Sequence, residues 1–401
     1  MVNYVFLSVY FYSVPNLRFR EFNEQLVYTS FGHVMKLYRG SSPRPIINYV
    51  TTDKSGLNWI KIGDMPSTGN RVFFCKERIN KEGSKKSRAV YKGDIILSNS
   101  MSFGKPYILE IDGFIHDGWF VIRDYQNYID KTYLCQLLSS DVVQNQYKST
   151  AAGGVVKNIS SDLVNSVKFH LPSIMEQRKI ARFLELIDQK IEVQIKIIND
   201  LVLQKKCIIS SLLKSVQDNE KIMLKDILFD YNIKTTINNE YPVLSSTASG
   251  MYLQSEYFNK EASSDNTIGY KIIPRGYCTY RSMSDTGLFT FNMQELVEKG
   301  IVSPAYPVFS ANDDYINEFI ILYLNNSSYI KKQILELKSG GTRFALPFST
   351  LCTLKIPKLD KEKQLSLIKT ITAFERKIEN EEMILKALHQ QKNFLLNNMF
   401  I

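Results

Sequence analysis

Basic side chains gather in one short stretch of this 401-residue sequence. Residues 76–92, "KERINKEGSKKSRAVYK", carry seven Lys or Arg and two Glu, and the cluster includes Lys85, Lys86 and Arg88. Its Gly-Ser centre is typical of a flexible loop. A basic loop on a β scaffold can follow a phosphate backbone, because Lys and Arg pair with phosphate oxygens. An ordinary solvated loop is the alternative interpretation.

A single arginine stands between two prolines in "GSSPRP" (residues 40–45). The fixed φ of proline stiffens this segment and would hold the Arg44 guanidinium out from the chain. A guanidinium held in this way suits a bidentate contact to guanine. A plain surface turn explains the same pattern, so both interpretations stay open.

Short polar side chains follow two predicted strands, each time beside a glycine. They are Ser98, Asn99, Ser100 and Lys105 in "SNSMSFGKP", and Tyr280, Arg281 and Ser282 in "YRSMSDTG". Such groups can reach base edges or phosphates, and capping of buried turns is the competing role.

Two segments place a cation shortly after a pair of glycines. "GGVVKN" (residues 153–158) contains Lys157, and "GGTRFA" (residues 340–345) contains Arg343. Exposed backbone amides with a nearby cation suit a phosphate. Recurrence in both halves of the chain favours a binding role.

Motifs for catalysis are absent from the sequence. No two glycines are spaced as GxG, and no Walker A, HExxH or Pro-Pro sequence occurs. Asp188-Gln-Lys190 and Glu375-Arg-Lys377 match half of a nuclease motif, but a solvated face of a long helix is the better interpretation. The five cysteines and four histidines are scattered and predict neither disulfides nor a metal site. These absences favour a recognition or assembly protein over an enzyme.

The charge balance favours a polyanionic partner. The net charge is +10 and the pI is about 9.1, and basic side chains displace counterions from phosphates. Scattered cysteines suit a reducing cytoplasm. The apolar start "MVNYVFLSVYFYS" lacks the features of a signal peptide and is too short to cross a bilayer, so we interpret residues 1–14 as an N-terminal extension or a docked strand.

One helical pattern occurs twice and would position these residues. "QRKIARFLELIDQKIE" (residues 177–192) aligns with "QLSLIKTITAFERKIE" (residues 364–379), 187 positions later, and the alignment continues without a gap to residues 213 and 400. Both copies have an apolar heptad seam. The predicted seam residues are Leu184, Ile187, Ile191, Ile198, Leu201, Ile371, Phe374, Ile378, Leu385 and Leu388.

Polar residues interrupt both seams at the same registers, Gln194 and Glu381 in one case and Lys205 and Lys392 in the other. Shared interruptions favour helices that pair with each other in a fixed register. Each helix would span about 37 residues, or roughly 55 Å at 1.5 Å per residue. We also predict smaller helices over 129–139 and 317–337, and irregular β structure elsewhere. The predicted fold class is α+β, as a tandem repeat with pseudo-twofold symmetry.

Four segments resemble the specificity subunit of type I restriction-modification systems. They are "GDIILSNSMSFGKPYIL", "IHDGWFVI", "LPSIMEQRKIARFLELIDQKI" and "YRSMSDTGLFTFN". The resemblance covers the chain from about Pro15 to the end. The LPxxxEQ sequence of Leu171, Pro172, Glu176 and Gln177 is degraded in the second copy, where Ile356 and Pro357 precede Glu362 and Gln364.

The resemblance implies five segments. They are an N-terminal extension (1–14), target recognition domain 1 (15–170), conserved spacer helix 1 (171–215), target recognition domain 2 (216–355) and conserved spacer helix 2 (356–401). In this family the two helices form an antiparallel coiled coil, and each recognition domain reads one half of a bipartite, asymmetric DNA site. The chain itself would be non-catalytic.

The resemblance also implies the partners. They are double-stranded DNA, two type I methylase (modification) subunits and the restriction/translocase subunits, with no membrane. This chain would hold no cofactor or metal, because S-adenosylmethionine, ATP and Mg belong to the partner subunits. The alternative is a non-DNA assembly scaffold with a coiled coil and two protein-binding domains.

Overall fold

The chain forms two compact units. The computed structural model describes residues 14–66, 68–99, 104–151, 159–257, 266–337 and 344–401. Unit 1 combines residues 1–197 with 381–401, and unit 2 comprises residues 198–380. Each unit therefore contains one β-rich segment and part of each long helix.

The described residues of unit 1 form twelve strands, five short α-helices and part of each long helix. The strands are β1 (Val27–Ser30), β2 (Lys36–Arg39), β3 (Val50–Thr51), β4 (Leu57–Ile60), β5 (Arg71–Val72), β6 (Glu77–Ile79), β7 (Arg88–Val90), β8 (Ile95–Ser98), β9 (Pro106–Leu109), β10 (Gly113–Ile115), β11 (Trp119–Arg123) and β12 (Lys168–Leu171). The helices are α1 (Phe31–Val34), α2 (Lys81–Ser84), α3 (Lys131–Ser139), α4 (Asp141–Ala151), α5 (Ser161–Ser166) and α6 (Ile174–Ser215), which continues into unit 2.

Two five-stranded sheets and a helical layer form the body of unit 1. The central sheet has the order β2-β11-β8-β9-β5, and the outer sheet has the order β3-β6-β4-β10-β7. Ile95 and Leu97 of β8 join the apolar cluster around the helices, whereas Ile96 between them joins the cluster shared with the outer sheet. Because successive side chains of a strand point to opposite faces, the central sheet is buried on both sides.

Unit 2 has a smaller set of sheets. Its strands are β13 (Lys221–Met223), β14 (Leu228–Asp230), β15 (Leu244–Thr247), β16 (Gly250–Leu253), β17 (Lys271–Pro274), β18 (Cys278–Tyr280), β19 (Met283–Ser284), β20 (Phe291–Met293), β21 (Lys299–Val302), β22 (Val308–Ala311), β23 (Phe344–Ala345) and β24 (Lys355–Pro357). Its helices are α7 (Gln254–Tyr257), α8 (Asn317–Asn326), α9 (Ser328–Glu336), α10 (Phe348–Leu351) and α11 (Lys361–Met399), which continues into unit 1.

A four-stranded antiparallel sheet, β14-β22-β18-β20, lies at the centre of unit 2. Phe309 of β22 packs in the cluster with the helices, and its neighbour Val308 packs in a second cluster with strands β15, β17 and β21. This sheet is therefore also covered on both faces, as alternation along a strand requires.

The two long helices are slightly longer than predicted. α6 has 42 residues and α11 has 39. Pro172 follows β12 directly, and Pro357 is the last residue of β24, so each proline lies between a strand and a long helix as expected. The predicted α+β fold, with two β-rich domains and long helices, is confirmed.

The smaller helices differ from prediction at one repeated position. The helix expected over 317–337 is two helices, because Ser327 is extended (φ −73°, ψ 124°) and its side chain accepts from the Ile330 amide. Ser140 breaks α3 from α4 in the same way, also extended, 187 residues earlier. Asp130 starts α3 two residues later than expected, since its carboxylate accepts from the amides of Thr132 and Tyr133.

Candidate nucleic-acid interface

Arg44 lies at an open cleft of about 790 Å³ in unit 1. Its side chain is 80% exposed, and its Nη2 lies 3.2 Å from the Asp117 carboxylate. The other residues of the cleft combine an apolar surface with polar groups. They are Ser42, Pro43, Pro45, Ile46, Trp59, Lys61 and His116. Arg44 therefore lies in an exposed turn, and its guanidinium is accessible to a ligand.

The basic stretch of residues 76–92 is more ordered than the predicted loop. It contains strand β6, the single helical turn α2 and strand β7, and the Asn80 side chain caps α2 by accepting from the Gly83 amide. Lys85 pairs with Glu82 at 2.7 Å. Lys86 donates to the Tyr49 hydroxyl at 2.7 Å, so its amine is held against the segment that follows Pro45.

Two clusters that are separate in the sequence meet in the structure. Arg88 Nε donates to the Arg39 carbonyl (3.1 Å), and Arg39 Nε donates to the Asp117 carbonyl (3.2 Å). Asp117 in turn pairs with Arg44. The side chains of Arg39, Arg44, Lys61, Lys86 and Arg88 thus form one region, which we call the basic surface of unit 1.

Ser98 and Asn99 are buried, with exposed fractions of 0% and 3%. The Asn99 side chain donates to the Asp117 carbonyl at 2.9 Å, and the Ser98 carbonyl accepts from the Gly104 amide at 3.1 Å. This geometry supports the turn-capping role that the sequence left open for both residues. It gives neither side chain a surface to offer a ligand.

Lys105 faces the long helices. It lines a cavity of about 230 Å³ together with Asp188 and Lys392. Burial lowers the pKa of Lys105, and the nearby charge of Lys392 lowers it further. Lys105 therefore does not belong to the basic surface of unit 1.

In unit 2 the three predicted polar residues separate. Tyr280 is fully buried, and its hydroxyl donates to the Leu346 carbonyl at 2.8 Å, so it is a core residue. The Ser282 hydroxyl donates to the Ala305 carbonyl at 3.0 Å. Arg281 is exposed, and no described residue pairs with it. Of the three, Arg281 is the one free to meet a ligand.

A cleft of about 470 Å³ surrounds Arg281. Its lining combines side chains that carry hydroxyl groups with apolar side chains. Its residues are Ser245, Ser246, Thr247, Ala248, Arg281, Met283, Ser284, Asp285, Thr286, Leu288, Phe289, Thr290 and Tyr306. We call it the hydroxyl cleft of unit 2. Three further candidates, Ser100, Lys157 and Arg343, lie outside the described residues, as do residues 1–13 of the predicted N-terminal extension.

The polar interruptions of each helical seam bind polar side chains of the other helix. In unit 1, Gln194 Nε2 donates to Glu381 Oε2 (2.6 Å), and Lys392 lies 2.5 Å from Asp188. The helices are antiparallel, because the residue number rises along α6 as it falls along α11. In unit 2, Lys205 pairs with Glu375 at 3.2 Å. Glu375 is exposed, in agreement with a solvated helix face, and Asp188 is half-buried. Each carboxylate also pairs with a lysine of the other helix.

The apolar seam positions are buried or half-buried throughout. Leu184, Ile187, Ile191, Leu201, Ile371 and Ile378 are buried, and Ile198, Phe374, Leu385 and Leu388 are half-buried. In unit 1, Leu184, Ile187 and Ile191 share a cluster with Leu385 and Leu388 of α11. The heptad pattern therefore identifies the packed face of both helices.

Two pairs of glutamines bind nearby backbone groups and anchor the helices, a role that the sequence did not predict. Gln177 Oε1 accepts from the Asp130 amide (2.9 Å), and its Nε2 donates to the carbonyls of Tyr128 and Pro172. Gln364 does the same with the Ile316 amide and the carbonyls of Asp314 and Leu359. The equal spacing of the two glutamines was the available signal.

The second pair, Gln146 and Gln333, is also separated by 187 residues. Each uses both ends of its amide on the backbone of one strand residue: Gln146 binds the N–H and C=O of Lys168, and Gln333 binds those of Lys355. Helices α4 and α9 are thereby tied to β12 and β24. The repeat therefore extends further into the two β-rich segments than the sequence alignment indicated.

Among the described residues, no group of three or more His, Cys, Asp or Glu side chains is arranged to hold a metal ion. None of the helices in that part of the chain is both long enough and apolar enough to span a bilayer.

Comparison with known proteins identifies the class. Residues 32–202 match the family model described as type I restriction modification DNA specificity domain. This part of the chain is similar to that family, and the resemblance seen in the sequence is confirmed.

Solved structures extend the likeness to nearly the whole chain. A structure describing complex assembly and conformational transition of the type I R-M system matches with a TM-score of 0.63 and 14% identity, over 92% of this chain and 96% of the other. The S subunit of a Type-I restriction-modification system from M. genitalium matches with a TM-score of 0.50 and 15% identity, over 97% and 99%. At these identities the matches establish the shared fold.

Proposed function

We propose that this chain is the DNA-binding specificity subunit of a type I restriction-modification complex, and that each unit reads one half of a bipartite, asymmetric site. The basic surface of unit 1 carries this proposal, because it lies within the matched specificity domain and two of its five cations, Arg44 and Lys61, line one open cleft. Lys and Arg so placed suit the phosphates and base edges of a duplex.

The two units offer different chemistry to DNA. Unit 1 presents guanidinium and ammonium groups, whereas the hydroxyl cleft of unit 2 presents Ser and Thr hydroxyls around Arg281, the one cation among its described lining residues. Unlike sets of donors and acceptors favour unlike base sequences. This difference supports an asymmetric site with one half for each unit.

The long helices also carry exposed apolar side chains that their own seam does not use. They include Leu186, Val193 and Leu203 of α6 and Met383 and Phe394 of α11, which are 41–69% exposed. Exposed apolar residues on a helical surface are typical of protein docking. We infer that modification subunits, two in number, and restriction subunits dock on these helices and supply S-adenosylmethionine, ATP and Mg.

A salt titration of duplex binding tests this function. The full chain is assembled with its modification subunits, and binding to a duplex library is measured from 50 to 200 mM salt. We expect a linear fall of log affinity with log salt, with a slope of about −0.9 for each phosphate contacted, and a preference for one split sequence at every salt concentration.

Variants of the basic surface sharpen the test. Lys86→Ala and Arg88→Ala should each weaken binding to all sequences and reduce the slope by about 1. Lys332→Ala, which removes an exposed lysine of α9 in unit 2, is the matched control. Binding without any sequence preference in the assembled complex would refute the function and favour the protein-binding scaffold.

A further inference from the structure

Asp117 is held in place by four different groups. Its backbone carbonyl accepts from the Asn99 side chain (2.9 Å) and from Arg39 Nε (3.2 Å). Its carboxylate accepts from the Ser42 hydroxyl at 2.6 Å and pairs with Arg44 at 3.2 Å. Contacts from separate parts of the chain leave this carboxylate little freedom to move.

Arg39 and Arg44 are the exposed members of this group, and of these two Arg44 pairs with the carboxylate. Its contact with Asp117 uses Nη2 alone, so Nε and Nη1 remain available as donors. An exposed arginine ordinarily samples many rotamers, and a fixed carboxylate reduces that entropy before a ligand arrives. The Asp117 carboxylate thus orients a guanidinium whose outer donors are free.

His116 adds a second donor beside Arg44. The Gly118 amide, which can only donate, lies 2.9 Å from His116 Nδ1. The neutral imidazole therefore carries its proton on Nε2. Burial lowers the pKa of His116. The charge of Asp117 raises this pKa and that of Lys61 lowers it, and both effects are smaller than that of burial. The net shift is downward, which favours the neutral ring at physiological pH.

The cleft therefore presents donors and few free acceptors. Each oxygen of the Asp117 carboxylate already has a partner, Ser42 or Arg44. Lys61, another donor of the cleft, is ion-paired with Glu77. In the major groove guanine presents two acceptors, O6 and N7, whereas adenine presents one acceptor and one donor. A set of donors thus selects guanine over adenine.

We propose that Asp117 is a positioning residue that presents the Arg44 guanidinium to the major-groove edge of a guanine, and that this contact specifies one G·C base pair in the half-site read by unit 1. The inference rests on the proposed function and names the base pair and the residues that read it. Ser42 and Asn99 support Asp117, which explains why the buried Asn99 lies beside the binding surface without reaching it.

The test uses the full chain assembled with its modification subunits on a plasmid library with randomised sites, read by sequencing methylated adenines. Arg44→Lys keeps the charge but loses the planar fork. It should reduce discrimination for guanine at one position of one half-site by about 5- to 150-fold, the range of one bidentate contact. The other half-site should be unchanged.

Asp117→Asn should relax the same position without loss of overall DNA binding, and Asp117→Glu should restore part of the preference. A purely structural role would weaken the whole site instead of one base pair. Arg275→Ala is the control, since it also removes an exposed arginine from an ion pair, with Glu298 in unit 2.

Specific outcomes separate this inference from the proposed function. If the wild-type complex methylates without sequence preference, the function itself fails. If the wild type reads a split site that Arg44→Lys leaves intact, or that it weakens equally at every position, Arg44 contacts phosphate or nothing, and the inference is overturned. A wild-type site without any G·C pair overturns it as well.

Discussion

At the scale of single residues, the buried glutamines show how the repeat is anchored. Gln177 and Gln364 are 1% and 0% exposed. Each bonds to the backbone just before a helix of its β-rich segment and to a carbonyl just before its own long helix. A buried polar side chain with every partner in place stabilises one arrangement of the backbone. These two residues therefore connect each β-rich segment to the long helix that follows it.

Replacing either glutamine by alanine should loosen one unit alone. Gln177→Ala leaves the Asp130 amide without its partner, and we expect a cost of about 1–3 kcal/mol and faster hydrogen exchange at that amide. Gln364→Ala should act in the same way on the Ile316 amide. The exposed Gln204 of α6 and its repeat mate Gln391 are the controls. Unchanged exchange at Asp130 in Gln177→Ala would contradict the anchor role.

Residue type alone could not separate side chains that are accessible to DNA from side chains of the core. Ser98, Asn99 and Tyr280 have side chains suited to DNA contacts, yet all three are buried, because a motif does not state which face of a strand its members occupy. The partner of Arg44 could not be predicted either, since Asp117 lies 73 positions away and meets it through the pairing of strands. The proline-flanked arginine itself was visible in the sequence and is exposed as predicted.

At the scale of elements, the paired helices were the most predictable part of the chain. Their period survives in the sequence because every seven residues must return an apolar side chain to the same partner. The helix predicted over 129–139 ends where α3 ends, but the break at Ser327 was not visible, because serine is tolerated within helices as well as at their caps. Only the extended backbone of the folded chain distinguishes the two cases.

A charge placed in the seam should separate the helices. Ile191 is 6% exposed and lies in the unit 1 cluster. Ile191→Asp would bury an unpaired carboxylate, so we expect a loss of about 3–5 kcal/mol in the stability of unit 1, measured by urea unfolding. Val193→Asp, two residues further along the same helix and 54% exposed, should cost little. Equal effects of the two changes would argue against the seam.

At the scale of the whole molecule, unit 1 is completed by a distant part of the chain, whereas unit 2 is one continuous stretch. Leu395, Leu396, Met399 and Phe400 of the last residues belong to the apolar cluster of unit 1. The sequence divides the chain into successive segments, whereas the folded units share both long helices. Domain boundaries drawn along the sequence missed this sharing, because contacts between residues far apart in sequence define the units.

Truncating one late aromatic residue should therefore affect the early half of the chain. Phe400 is 2% exposed, and its ring centroid lies 5.2 Å from that of Tyr133. Phe400→Ala should cost about 3–5 kcal/mol. Hydrogen exchange should rise in α3 and leave α8 unchanged. Phe394→Ala, at a 58% exposed position, is the matched control. Loss of protection in α8 instead of α3 would contradict this division.

The contact between Gln194 and Glu381 has a consequence for symmetry breaking. The two residues occupy the same repeat position and meet across the antiparallel helices. Two identical chains paired in this way would set each residue against its own copy, with either two carboxylates in repulsion or two neutral amides. In this chain both copies are joined covalently and can differ in sequence. An amide can therefore donate to a carboxylate in a charge-assisted bond. No symmetric homodimer could form this bond at this position.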